Sequence, residues 1–165
     1  MSMIGGAIDW LQATPLSTTI RESDLLFPTI ECVHVIAFVV VVGTISVVDL
    51  RLMGLASKTR PADELIEELL PITWIAFAVA AAAGLLLFCS KPITYTQNFF
   101  FLGKMLLLVL AAANMGVFHL VVQKSLATAP IGPPPLTARA SGAISLALWI
   151  TIVAFGRWIG FTTLG

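Results

Sequence analysis

Four long stretches of the chain are apolar throughout, and the polar residues gather mainly between them. The stretches lie near residues 25–48, 69–90, 99–122 and 140–161. Each supplies the roughly 20 residues that a helix rising about 1.5 Å per residue needs to cross a hydrocarbon core of about 30 Å. The segments between them read as loops. Lys58–Glu68 is charged, Lys91–Asn98 is a short polar turn, and Ala129–Ser141 carries IGPPP, which cannot stay helical. Spans joined by short loops run antiparallel. The pattern therefore predicts an all-α membrane protein, one domain over 1–165 folded as a four-transmembrane-helix up-down bundle. Small residues at Gly43, Ser46, Ala80–Gly84, Ala111–Ala113 and Gly116 would let the helices approach closely.

Residues 1–24 precede the first span. Ile4, Ala7, Ile8 and Leu11 recur at helical spacing, which predicts a short amphipathic interfacial helix anchored by Trp10 and ended by Pro15. The stretch lacks a basic leader and is interrupted by Asp9, so no cleavable signal peptide is expected and the mature chain should begin near Met1.

Composition sharpens this picture. Of 165 residues, 58% are hydrophobic and 11% charged, whereas soluble domains carry roughly a quarter charged residues. The solvent that suits such a chain is a lipid bilayer. A formal net charge of zero with scattered basic residues excludes a nucleic-acid partner, which needs a basic patch. Cys32 and Cys89 lie in apolar runs without metal-site spacing and read as buried thiols. Basic residues near the span ends set the expected orientation: Arg51, Lys58, Arg60, Lys124 and Arg139 on one side against Arg21, Lys91 and Arg157 on the other. Both termini are then expected on the periplasmic side of a bacterial inner (plasma) membrane.

Ionisable residues inside spans are costly enough that function is their default explanation. Glu31, His34 and Asp49 share one stripe of the first span, because residues 31 and 49 are about five full helical turns apart and 34 lies within about 60° of both. Lys104, Asn114 and His119 in the third span, and Ser145, Thr151 and Arg157 in the fourth, are candidate partners. Counting from span midpoints puts Glu31 and Lys104 at similar depths, about 8 to 10 Å toward the terminal side, so an ion pair between them is expected. Asp49 and Arg51 fall at the opposite border, where solvated charge is ordinary.

Histidines on membrane helices can ligate b-type haem, and His34 and His119 are the two available as cofactor or metal ligands. His34 falls about 4 Å on one side of the midplane and His119 about 13 Å on the other. One haem between both is therefore not expected. A dimer pairing each histidine with its own copy, or one histidine with Met105 or Met115, remains open.

The stretch ATPLSTTIRESDLLFPTIECVHVIAFVVVVGTISVVDLRLMGL resembles the start of an uncharacterised family of small bacterial four-helix integral membrane proteins. That family carries Pro-x-x-Glu-x-x-His in its first span, which then ends in Asp-Leu-Arg-Leu. Pro28, Glu31, His34, Asp49 and Arg51 carry the match here, followed by Trp74 and Gly84–Phe88, then Lys104, Asn114 and Phe118–His119, then Trp149 and Gly156–Arg157. The resemblance implies the four-span architecture and no activity. The chain is more weakly similar to membrane subunits of the copper-resistance D type, which also place a histidine in an apolar helix. It lacks their larger helix count and any methionine-rich or cysteine-based ladder.

No nucleotide fingerprint, nucleophile triad or paired-carboxylate set is present, which argues against a hydrolase or other soluble-type enzyme. The chain reads first as a small accessory subunit of a membrane complex; the alternatives are an electron-transfer subunit binding b-type haem through His34 or His119, and a proton or ion transport module using Glu31, His34, Lys104 and Arg157. A homo-oligomer or membrane-complex partner is compatible with all three, and the cofactor is otherwise unknown.

Overall fold

The computed structural model describes residues 3–56, 62–122 and 134–162. Lys58, Arg60, Lys124 and the first three residues of the IGPPP stretch lie outside the described residues. Every element is helical: α1 (Met3–Gln12), α2 (Pro15–Glu22), α3 (Leu26–Leu52), α4 (Ala62–Ser90), α5 (Pro92–Gln97), α6 (Phe99–Val117), a π-helical continuation of α6 (Phe118–Val122), and α7 (Leu136–Thr162). Four helices, α3, α4, α6 with its π-turn, and α7, are long and apolar enough to cross a membrane. Most of their large apolar side chains, among them Ile36, Ile75, Leu106 and Ile150, point outward. A helix with so little of its apolar surface buried is solvated by lipid.

Helix boundaries differ from the hydropathy pattern where local chemistry outweighs it. Pro15 begins α2 rather than only closing α1, because the missing N–H costs nothing in a first turn and Thr14 caps it by accepting from Ser17 N. α4 starts at Ala62, so the charged residues 62–68 are helical, with Asp63 and Glu64 in the first turn where the helix dipole favours them. Pro92 seeds α5 within the polar turn, and α7 starts at Leu136, directly after Pro135. α3 ends in a Schellman motif: Gly54 takes φ 75°, its N–H bonds Arg51 O, and Leu55 N–H bonds Leu50 O.

Cross-links between spans show the packing directions. His34 meets Ala80 and Thr44 meets Thr73, so α3 and α4 are antiparallel. Asn98 meets Thr162 and Asn114 meets Ser141, so α6 and α7 are antiparallel as well. α3 is central, packed on α4 along one flank and α7 along the other; α6 packs on α7, and α4 and α6 are not packed side by side. Among the described residues α4 and α6 meet chiefly at the terminal end, where Phe88 stacks on Phe101 at 5.6 Å.

Small residues make the close approaches. Ala76, Ala80 and Ala83 are buried on α4. A Cβ on Gly142 would lie 2.9 Å from Asp49 O, and one on Gly103 would overlap the Phe155 ring. Gly43 and Gly116, expected as packing positions, are open: a Cβ added at either would meet nothing within 4 Å. At the terminal end, α2 closes the C-terminus of α4: Ser17 Oγ donates to Ser90 O at 3.2 Å, and the Arg21 guanidinium reaches the same carbonyl at 3.5 Å.

Candidate functional site

The polar residues of the spans divide between two places. At the terminal end, His34 is held between α3 and α4. Its Nδ1 donates to Ala80 O at 2.7 Å, since a carbonyl oxygen can only accept. That bond assigns the proton to Nδ1 and leaves Nε2 with its lone pair, without a hydrogen-bond partner among the described residues. Gly84 makes the seat possible: a Cβ there would stand 3.0 Å from His34 Cε1 and 3.3 Å from Nδ1. Phe38, one turn along α3, stacks on the imidazole at 6.0 Å between centroids and 18° between planes.

Lys104 of α6 closes the group. Its ammonium lies 5.1 Å from the Phe38 ring centroid, a cation–π contact, beside the Cα of Gly156 on α7. Glu31 and Lys104 are both near enough to act electrostatically on His34. The expected Glu31–Lys104 ion pair is not formed among the described residues. Glu31 is exposed on the single chain, and Lys104 rests on an aromatic face instead. Cys32 is also exposed and Cys89 half-buried, so neither is the buried thiol expected. Arg157 projects outward over Phe161, 4.7 Å from its centroid, away from the stripe it was expected to join.

Tyr95 on α5 reports on Glu31 from outside the spans. Burial, and secondarily the Glu31 carboxylate, hold its phenol above the ordinary value. It belongs to an aromatic cluster with Phe88 and Phe101, 5.3 Å from the latter.

The second place is a partly open cavity of about 210 Å³ toward the other end, lined by α3, α4, α6 and α7. Asp49, Thr73, Trp74, Asn114, His119, Ser141, Ser145 and Trp149 line it among apolar residues. Asp49 is the correction that matters most. Read as an ordinary border charge, it is 4% exposed, faces inward and accepts a hydrogen bond from Ser145, while its Oδ2 has no partner. Asn114 Nδ2 donates to Ser141 O at 3.2 Å, tying α6 to α7. His119 sits in the π-turn, against Phe118 at 5.6 Å. Such turns recur at functional sites.

The histidines therefore serve different places. Lys104, beside the His34 group, is separated from His119 by 15 residues of α6, a rise of about 22 Å, so one iron cannot take both. No group of three His, Cys, Asp or Glu able to hold a metal occurs among the described residues. Sequence periodicity named His34, Lys104, Asn114 and Asp49. It missed Gly84 as the seat of His34, and Thr73, Trp74 and Ser141 as cavity wall, because these roles depend on which helix lies opposite.

The family of unknown function DUF6644 matches residues 16–162, nearly the whole chain. This protein belongs to that family. The match leaves out only α1 among the complete elements and includes both places just described. No curated protein and no solved structure matches the chain. It is a small protein with four helices long and apolar enough to cross a membrane, and its family has no assigned function.

Proposed function

We propose that this DUF6644 protein is an electron-transfer subunit of a larger membrane complex, presenting His34 as the iron ligand of a b-type haem. The 2.7 Å bond from Nδ1 to Ala80 O carries this reading. Metal-ligating histidines are characteristically oriented by a second hydrogen bond of this kind, which fixes the tautomer and aims the other nitrogen at the metal. A buried imidazole serving only as helix glue would also use one bond, but it would not explain Lys104. A cation in an apolar span with no carboxylate on it is expensive unless an anionic group comes to it, and haem propionates are such groups.

Size also supports a shared site. The 210 Å³ cavity is below the roughly 300–1,000 Å³ of typical ligand pockets, and His34 does not line it. A haem held by His34 would therefore need another polypeptide, a second copy or a different partner, to complete its site. When bound it would supply one-electron redox chemistry. His34 would hold the iron, Gly84 and Ala80 seat His34, and Lys104 would balance charge. The expected setting is the bacterial inner membrane, with both termini on the periplasmic side.

Absorption spectra of detergent-purified protein from haem-replete cells, oxidised and dithionite-reduced, test the proposal. A Soret band lost in His34→Ala and kept in His119→Ala supports it. A haem-free spectrum with stoichiometric metals also absent overturns it, as does a band that depends on His119 alone.

A proton-conducting module is the second reading, favoured by the placement of Glu31 and Lys104 within electrostatic range of one imidazole. Proteoliposomes would then show proton flux that His34→Ala and Lys104→Met each remove. Equal flux in wild type and both variants would dispose of it. If all these substitutions only lower abundance, the polar residues fix helix register and the protein is a non-catalytic accessory subunit.

A further inference from the structure

We propose that the cavity between α3, α4, α6 and α7 is a binding site for a small, mostly apolar amine whose ammonium pairs with Asp49. This site is separate from His34 and does not depend on the haem reading. Three observations carry it.

The first is the carboxylate. Asp49 is 4% exposed, Ser145 satisfies part of it, and Oδ2 faces no donor. A bare acceptor in an apolar enclosure is destabilising, so the position suits a site where a donor arrives from outside the chain. Of the other polar groups on the wall, Asn114 and Ser141 are engaged with each other, and the Thr73 hydroxyl with Thr44 and Leu69 O.

The second is the wall. Trp74, Phe77, Phe118 and Trp149 line the cavity, and no Lys or Arg does so among the described residues. Aromatic faces with a carboxylate attract a cation and repel an anion. A phospholipid headgroup would bring a phosphate along with its ammonium and, apart from the imidazole of His119, finds no basic side chain on this wall among the described residues. The chemistry favours a free amine.

The third is size and access. An apolar cavity of about 150 Å³ accommodates benzene, so 210 Å³ holds one ring with a short aminoalkyl arm. Entry is lateral: among the described residues α4 and α6 meet at the terminal end, where Phe88 stacks on Phe101, and are not packed along their length, and Trp74, Phe77 and Met115 are both cavity-lining and partly exposed.

Isothermal titration of the full-length protein in lipid-free detergent micelles, with benzylamine, toluene and benzoate as probes, tests the assignment. Benzylamine should bind saturably at one site, at least about ten-fold tighter than toluene, the discrimination that a hydrogen bond to a charged group provides. Benzoate should not bind. Asp49→Asn should bring benzylamine down to the toluene level while leaving toluene unchanged. Ala111→Phe, at a buried position of the cavity wall and leaving the carboxylate alone, should abolish both. If Asp49→Asn does not accumulate, the wild-type benzylamine-to-toluene ratio and Ala111→Phe decide. Benzylamine binding no tighter than toluene, or binding that survives Ala111→Phe, overturns the site. Competitive displacement by added phosphatidylethanolamine would overturn the free-amine assignment in favour of a lipid headgroup.

Discussion

Replacing Gly142 by alanine sets a close helix contact against helix propensity. The added Cβ would stand 2.9 Å from Asp49 O and 3.1 Å from Leu52 Cβ, where relaxed contacts are about 3.5–4.0 Å. Both obstacles belong to the α3 backbone or its first side-chain carbon, so no rotamer change relieves them and α7 must move away from α3. Overpacking of this kind costs about 1–3 kcal/mol. Alanine returns at most about 1 kcal/mol by restricting the unfolded chain. With the full return the net loss is about 0–2 kcal/mol, and relative to a substitution that gains the same propensity without the clash it is about 1–3 kcal/mol. Gly43→Ala is the control, since its Cβ meets nothing within 4 Å, and it should be neutral or slightly stabilising. Unfolding in mixed micelles with rising dodecyl sulfate, followed by tryptophan fluorescence, compares the two. Equal midpoints would refute the packing of α7 on α3 described above.

Thr73→Val removes the 2.7 Å hydroxyl link to Thr44 and should cost about 0.6 kcal/mol in the same assay, the average for hydrogen bonds between membrane helices. Arg21→Ala takes a cation from the C-terminus of α4; a loss of about 0.3–1 kcal/mol, seen as faster proteolysis within α2, is expected. Tyr95 is the single tyrosine, so near-ultraviolet absorbance titrates it alone, and its midpoint should lie above the ordinary value of about 10. Because the folded state keeps that proton longer than the unfolded one, stability should fall as pH rises from the ordinary value toward the raised one. Below that window Tyr95 itself contributes no pH dependence. Glu31→Gln should move the Tyr95 midpoint part of the way back down, burial holding the rest, and an unmoved midpoint would mean Glu31 is not beside the phenol.

Hydropathy alone made the four spans readable, because a bilayer demands about 20 apolar residues per crossing whatever the helices pack against. The same reading placed Asp49 on one stripe with His34, and that stripe turns inward at both residues. Judging Asp49 by its distance from the span centre, however, made it a solvated border charge. Depth along a helix does not reveal whether another helix covers that level, and here α7 does, with Gly142 and Ser145 against it. Glu31 shows the reverse. Matching depth suggested a partner in Lys104, but α3 and α6 approach through Phe38, and the carboxylate stays outside.

What the amino-acid sequence determined by itself was the solvent, the number of crossings and the residue types too costly to be incidental, since each follows from transfer energies of single residues and from helical rise. Tertiary structure decided which costs were met and how. It seated His34 in the notch of Gly84, laid Lys104 on an aromatic ring, and set Asp49 on the wall of a partly open cavity. These outcomes depend on the angular facing of four separate helices, and in lipid that facing is set by close contacts of small residues, which hydropathy does not register.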